Sequence, residues 1–320
     1  MSDLSPPPAP LLKGRGVTEF RQVRLSTGVT LNVGLSGDPA APPVIMLHGF
    51  PESHRTWRAL APLLSEDFRL IMPDQRGYAG SDKPKGKANY KTDLLVDDLF
   101  ALADALGMEQ FSLVGHDWGG AVAWAAALRQ DPRLQRLAIV NSPHPAIFAR
   151  TLIEDAEQRA ASQYINAFKV PGFERFIRMK GFDWFFDKSF GAHVDLDSIP
   201  GDERRQYIAE WSQPGAFTAM LNWYRAARII VPPPFLTVPV PEWLLKRFPS
   251  IRIPTLVVWG MRDKALLPSQ LEGLDLLVED LTIERLPAVG HFAPWEAPDQ
   301  VARPLRPFLA AQAGARATAQ

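Results

Sequence analysis

A chain of 320 residues with 46% hydrophobic content suits one large α/β domain carrying an insertion, or two small domains. Its 35 basic and 35 acidic residues cancel, which excludes a nucleic-acid or anionic-membrane partner recruited by bulk charge. The absence of cysteine excludes disulfides and thiolate catalysis. With neither an apolar leader in residues 1–16 nor an apolar run of spanning length, the expectation is a cytoplasmic protein without a membrane span.

In chain order, residues 1–16 read as a flexible arm, with prolines clustered at 6–8. Glu19 to Leu25 and Val29 to Leu35 flank Ser26–Thr27–Gly28, a hairpin signal. Val44 to Leu47 is a short continuous apolar run, as expected of a buried parallel strand, and His48–Gly49–Phe50–Pro51–Glu52 follows it. Arg69 to Met72 is the next strand, and Asp74 and Arg76 read as staples of the loop after it. Residues 90–106 repeat leucines at helical spacing and stop at Gly107. Phe111–Val114 and Leu134–Val140 are further strands. Residues 146–250 are largely helical in pattern, rich in aromatics, and free of strand signals. Strands return at Pro254–Trp259 and Leu281–Leu286, a helix is expected over roughly 298–311, and Gln312 to Gln320 is low-complexity. Alternating strands and helices imply a parallel sheet covered on both faces. The expected organisation is a core of residues 17–145 and 251–320 with a helical cap, 146–250, inserted into it.

The chemistry centres on Val114–Gly115–His116–Asp117–Trp118–Gly119–Gly120, between the strand ending at Val114 and an alanine-rich run, Ala121 to Leu128. Strand, tight turn, helix, with glycines flanking one reactive residue, is the arrangement that lifts a nucleophile above a sheet edge. Here that residue is Asp117. A carboxylate that displaces a group at a saturated carbon forms an ester, which water can cleave at its own carbonyl. Epoxide opening and carbon–halogen cleavage are the two reactions this suggests. The backbone amides of Phe50 and Trp118 are the candidate oxyanion donors for the second step.

Asp117, Asp263 and His291 occur in the order nucleophile, acid, histidine, each just past a predicted strand. Of the six histidines, His291 alone follows the last strand with an acid upstream, and no pair has metal-ligand spacing, so neither metal nor cofactor is expected.

On His-Gly-Phe-Pro-Glu at 48–52, Gly-His-Asp-Trp-Gly-Gly at 115–120, Leu-Asn-Trp-Tyr-Arg at 221–225 and Gly-His-Phe at 290–292, the sequence resembles the epoxide hydrolases of the α/β-hydrolase superfamily. The resemblance implies a mostly parallel eight-stranded sheet flanked by helices, with an inserted helical cap. It also implies that Tyr164 and Tyr224 in the cap hold the epoxide oxygen. The position after the sixth strand is Asn141, which leaves Asp263 as the triad acid. The implied partners are a small apolar epoxide and water, acting on a monomer or homodimer.

Two other readings stand beside this one. A haloalkane or haloacid dehalogenase would use the same Asp117 nucleophile. Haloalkane dehalogenases, however, typically have Asn or Glu where Phe50 stands. Fluoroacetate dehalogenases place arginines at the positions of Trp118 and Ala121. A non-catalytic small-molecule-binding protein on the same fold would have no need of all three triad residues.

Overall fold

The computed structural model describes residues 17–236, 238–245 and 248–311. The arm expected over residues 1–16 and the tail expected from Gln312 lie outside them.

Eight strands form one sheet: β1 (Glu19–Arg24), β2 (Thr30–Ser36), β3 (Pro43–Leu47), β4 (Arg69–Pro73), β5 (Phe111–His116), β6 (Leu134–Val140), β7 (Thr255–Gly260) and β8 (Leu281–Leu286). Their spatial order is β1-β2-β4-β3-β5-β6-β7-β8. β2 runs antiparallel to both β1 and β4, and every pairing from β4 to β8 is parallel. The central strands are apolar on both sides because helices cover both faces. β1 (EFRQVR), at one edge, half-buries Phe20 and Val23 and exposes its charged and polar positions, which discourages edge pairing.

The two-residue alternation of strands divides the core. Val44 and Met46 of β3 face one side, with Leu64 of α1 (Ala61–Leu64) and Leu305 of α12 (Pro298–Ala310). Ile45 and Leu47 face the other, with Leu99 of α2 (Thr92–Ala105) and Trp124 of α3 (Trp118–Leu128). The sequence pattern places the start of α3 at Ala121; it starts three residues earlier. Gly119 and Gly120 are poor helix formers, but they are the residues that let this turn of helix touch the sheet, and packing overrides propensity. A Cβ on Gly119 would overlap the Leu47 carbonyl oxygen.

Between β6 and β7 the chain leaves the sheet and, among the described residues, forms seven α-helices: α4 (Pro145–Glu154), α5 (Ala156–Ala161), α6 (Gln163–Lys169), α7 (Phe173–Lys180), α8 (Phe182–Phe190), α9 (Gly201–Ser212) and α10 (Ala216–Ala226). α9 is fastened to the loop after β3. Glu203 takes a bidentate pair of hydrogen bonds from Arg55 at 2.8 and 2.7 Å. The Tyr207 hydroxyl donates to Glu52 and the Trp211 indole to the Pro51 carbonyl, each at 2.7 Å. After Ala226 the described chain has no α-helix before β7, only a short 3-10 turn at Glu242–Leu245. Pro232, Pro233, Pro234, Pro239 and Pro241 lack the amide hydrogens a helix needs. A short helix, α11 (Ala293–Glu296), follows the loop that carries His291. Among the described residues no helix is long and apolar enough to cross a membrane.

Candidate active site

Asp117 sits on the one-residue corner between β5 and α3, with φ 48° and ψ −119°. A non-glycine residue in that region carries strain of about 1–3 kcal/mol and persists only where its surroundings impose it. The surroundings here are tight: a Cβ on Gly49 would run into the Asp117 side chain. The corner presses the carboxylate against the loop after β3, where the Phe50 amide donates to Asp117 Oδ1 at 2.7 Å. The Trp118 amide is the first of α3 and so belongs to the helical turn whose N–H groups lack intrahelical acceptors. The Asp117 carbonyl accepts from Ala121 N–H at 3.0 Å and from the Ser142 hydroxyl at 2.6 Å, which fixes the corner from behind.

The other Asp117 oxygen, Oδ2, lies 3.8 Å from His291 Nε2. His291 Nδ1 donates to Asp263 Oδ2 at 2.7 Å. Asp263 is buried, and both its oxygens are held. Oδ1 accepts from the amides of Ala265 and Leu266, each at 2.9 Å, and Oδ2 also accepts from the Asn141 amide at 2.8 Å. Burial would raise the Asp263 carboxyl, but the adjacent His291 and these donors hold it below the ordinary value. Burial alone would lower His291. The carboxylates of Asp263, Asp117 and Glu52 outweigh it and push His291 up to about 9. At neutral pH His291 therefore carries a proton and faces the Asp117 carboxylate as a cation.

A cavity of about 730 Å³ opens onto Asp117 and Trp118, and Tyr164 of α6 and Tyr224 of α10 line it as well. The two tyrosine rings are 6.1 Å apart, nearly perpendicular, and the Tyr224 ring packs edge-on against Trp118 at 5.0 Å. Burial raises both phenols above their ordinary value, and the negative charge of Asp117 adds to it. Both therefore stay protonated, as hydrogen-bond donors, across the physiological range. Apart from Asp117 and Arg228, the described residues lining the cavity are uncharged, and most are apolar.

A sheet of this order with helices on both faces has counterparts among known proteins. The family model for the alpha/beta hydrolase fold matches residues 42–298. The chain belongs to the α/β-hydrolase family. It is 36% identical over 244 residues to the AB hydrolase superfamily protein YfhM of Bacillus subtilis, an alignment that spans 75% of this chain and 80% of that protein. It is 30% identical over 289 residues to epoxide hydrolase 3 of Xenopus tropicalis, covering 88% and 75% of the two chains. Among solved structures it is similar to one of the novel epoxide hydrolases from metagenomes of hot environments. That match has a TM-score of 0.83 and 43% identity, covering 92% of this chain and 99% of the other.

All seven site residues read from the sequence of this α/β-hydrolase lie around one point. Asp117, Trp118, Tyr164 and Tyr224 line the cavity, and Phe50, His291 and Asp263 stand behind the carboxylate. Four of the other five histidines have other work. His48 Nε2 accepts from the Gln75 amide, His54 bonds Asp74, and His144 accepts from the Ala146 amide at the start of α4. His116 Nε2 meets the His291 carbonyl at 2.8 Å; since a carbonyl only accepts, that nitrogen carries the ring's proton. Burial holds His116 down to about 4, so it stays neutral.

Two residues gain roles that the linear pattern does not show. Asn141, with φ 43°, donates to Asp263 and accepts from the Gly260 amide at 2.9 Å, so it locks the Asp263 carboxylate to the end of β7. Glu52 is buried, and its Oε1 accepts from Tyr207 of α9 at 2.7 Å and from the Trp295 indole of α11 at 2.9 Å. It thereby ties the cap to the segment just after His291. Glu52 is visible in its motif, but its partners are 155 and 243 residues away. Among the described residues, no group of three or more histidine, aspartate or glutamate side chains is placed to hold a metal ion.

Proposed function

We propose that this enzyme hydrolyses epoxides to vicinal diols through a covalent ester on Asp117. The observation that carries the reading is the pair of protonated tyrosine hydroxyls, Tyr164 and Tyr224, lining the same apolar cavity as the carboxylate. An opening epoxide develops an alkoxide that stays attached to the product and needs a proton, whereas a halide leaves as a stable anion. The epoxide hydrolases among the relatives and solved structures support the same reading. Residues 146–250 act in it as a lid over the nucleophile.

In the proposed sequence, the epoxide oxygen lies between the two hydroxyls. Asp117 Oδ2 attacks one ring carbon, the carbon–oxygen bond breaks, and its electron pair moves onto the ring oxygen, which takes a tyrosine proton. Asp117 is now a neutral ester, so the negative charge that helped hold the proton on His291 is gone. His291 loses that proton, which restores the tyrosine by way of solvent, and becomes a base oriented by Asp263. It takes a proton from water, and the hydroxide attacks the ester carbonyl. The Phe50 and Trp118 amides carry the charge that develops on Oδ1, where one such donor is worth about 10²–10³ in rate. As the intermediate collapses, the bond from its carbon to the alkyl oxygen breaks and that oxygen takes the proton of the newly added hydroxyl, which returns the Asp117 carboxylate and releases the diol.

The test is a panel of aryl, alkyl and fatty epoxides run beside haloalkanes and fluoroacetate, together with mass spectrometry of His291→Gln mixed with an epoxide. Diol formation and an ester on the Asp117 peptide are the expected results. Halide release without diol formation would favour the dehalogenase reading, and turnover of nothing would favour a binding protein.

A further inference from the structure

On the reading that this site opens epoxides, we propose that it is built for terminal epoxides with a single long, unbranched alkyl arm lying along α3. The cavity is asymmetric about Asp117. On one side it follows α3, where Ala121, Ala125 and Leu128 line it. These three are the half-buried positions of a helix that is otherwise buried, so they form an open stripe at helical spacing. From Trp118 to Leu128 the stripe is ~15 Å long at ~1.5 Å per residue, a length that roughly a dozen extended methylenes span. Two of its three side chains are single methyl groups, which leaves a slot instead of a filled interface. Phe148 and Leu152 of α4, with Pro232 of the proline-rich segment, complete its apolar lining.

On the other side of Asp117 the space is taken by rings. Phe50 packs against Phe168 at 5.1 Å, Tyr224 at 5.1 Å and Phe185 at 6.2 Å. None of the three phenylalanines lines the cavity. Phe185 meets Phe217 at 4.9 Å, so the packing continues into the cap core. An epoxide ring in the middle of a chain carries two arms, and the second would have to displace this cluster. A terminal epoxide presents only a methylene there, and its one arm takes the slot. Each methylene it fully buries is worth up to roughly fourfold in kcat/KM, and less where the half-buried slot leaves it partly in water.

The test is a matrix of unbranched epoxides: terminal ones of four, six, nine and twelve carbons, and the twelve-carbon isomer with the ring at mid-chain. In the wild type, kcat/KM is expected to rise about tenfold or more from the six- to the twelve-carbon terminal epoxide, and the mid-chain isomer to fall at least about tenfold below its terminal twin. Ala125→Phe puts a ring in the slot and should lower the twelve-carbon value at least about tenfold more than the four-carbon value. Ala125→Leu should show the same ordering more weakly, and serves if the phenylalanine variant does not fold. Equal rates for the terminal and mid-chain isomers, or a series flat in chain length, would overturn the inference. Turnover of the four-carbon epoxide with none of the twelve-carbon one would overturn it while leaving epoxide hydrolysis standing. No turnover of any epoxide would overturn the proposed activity, and this inference with it.

Discussion

The sheet side and the cap side of the cavity stabilise their residues by different means. On the sheet side directed hydrogen bonds hold the two aspartates. Asp263 accepts from two backbone amides, from Asn141 and from His291, and Asp117 rests on the Phe50 amide and is braced through its carbonyl. On the cap side, Tyr164 and Tyr224 are positioned mostly by rings: Phe168 contacts both, and Phe50 and Trp118 contact Tyr224. Hydrogen bonds fix direction, and ring packing fixes volume. Charge is therefore held by directed bonds on the sheet side, while ring packing sets the place of the two hydroxyls on the cap side.

Asp117→Ala should break the comparison at its centre. Turnover is expected to fall by roughly 10⁶, as for loss of other enzymic nucleophiles, with the thermal melt still cooperative. Retained turnover would mean that the corner is structural only.

The Tyr164→Phe, Tyr224→Phe double variant keeps the rings and removes only the hydroxyls. Alkylation measured in single turnover should slow by about 10²–10⁴ while the melting temperature hardly moves. Wild-type alkylation would reduce both tyrosines to packing.

The pH response sharpens the sheet side. His291 sits at about 9 in the folded protein, above the ordinary ~6.5 of an unfolded chain. The stability it contributes is fully present below pH ~6.5 and is lost as pH rises through about 9. The wild-type melting temperature should decline across that window, and His291→Gln should flatten the decline. In the ester form Asp117 is neutral, so breakdown of the intermediate should titrate below the free-enzyme value. Stopped-flow kinetics across pH would show both.

The smallest effect is expected from Asn141→Ala. It removes one hydrogen bond to a carboxylate, worth ~1.5–3 kcal/mol, and should slow ester breakdown about tenfold while leaving ester formation alone. Equal slowing of both steps would mean that Asn141 shapes the site as a whole.

The same division decided what could be read from the sequence. β3, β5, β6 and β7 are predominantly apolar, and Asp117, Asp263 and His291 each follow a strand, so local pattern was enough to find them. Their supports were not local. Asn141 reaches Asp263 across 122 residues, and Trp295 reaches Glu52 across 243. In the cap, helical spacing finds apolar faces without saying which ring turns toward the nucleophile. Tyr164 and Tyr224 were singled out by resemblance, and among so many neighbouring aromatics spacing alone could not have chosen them. The open stripe on α3 was hidden for a related reason: an alanine-rich helix reads as uniformly buried until its neighbours are in place.

The pairing of β6 with β7 has a consequence for how the molecule is made. Leu137 to Val140 lie beside Thr255 to Val258, with all of α4 to α10 between them in the chain. For a flexible connection, lengthening it from ten to roughly 110 residues costs only about 2 kcal/mol of closure entropy, and a folded insert whose ends lie close costs less. Closure entropy thus sets little penalty on the length of the insert. In time the cost is larger. During synthesis the Asp117 corner and the cap emerge well before the strand that must dock against β6, so β6 waits with an unpaired apolar edge until residues 255–260 arrive. Non-local parallel pairing of this kind is slow and exposed to aggregation. For a nascent chain of this protein, that interval is the one in which a chaperone would matter most.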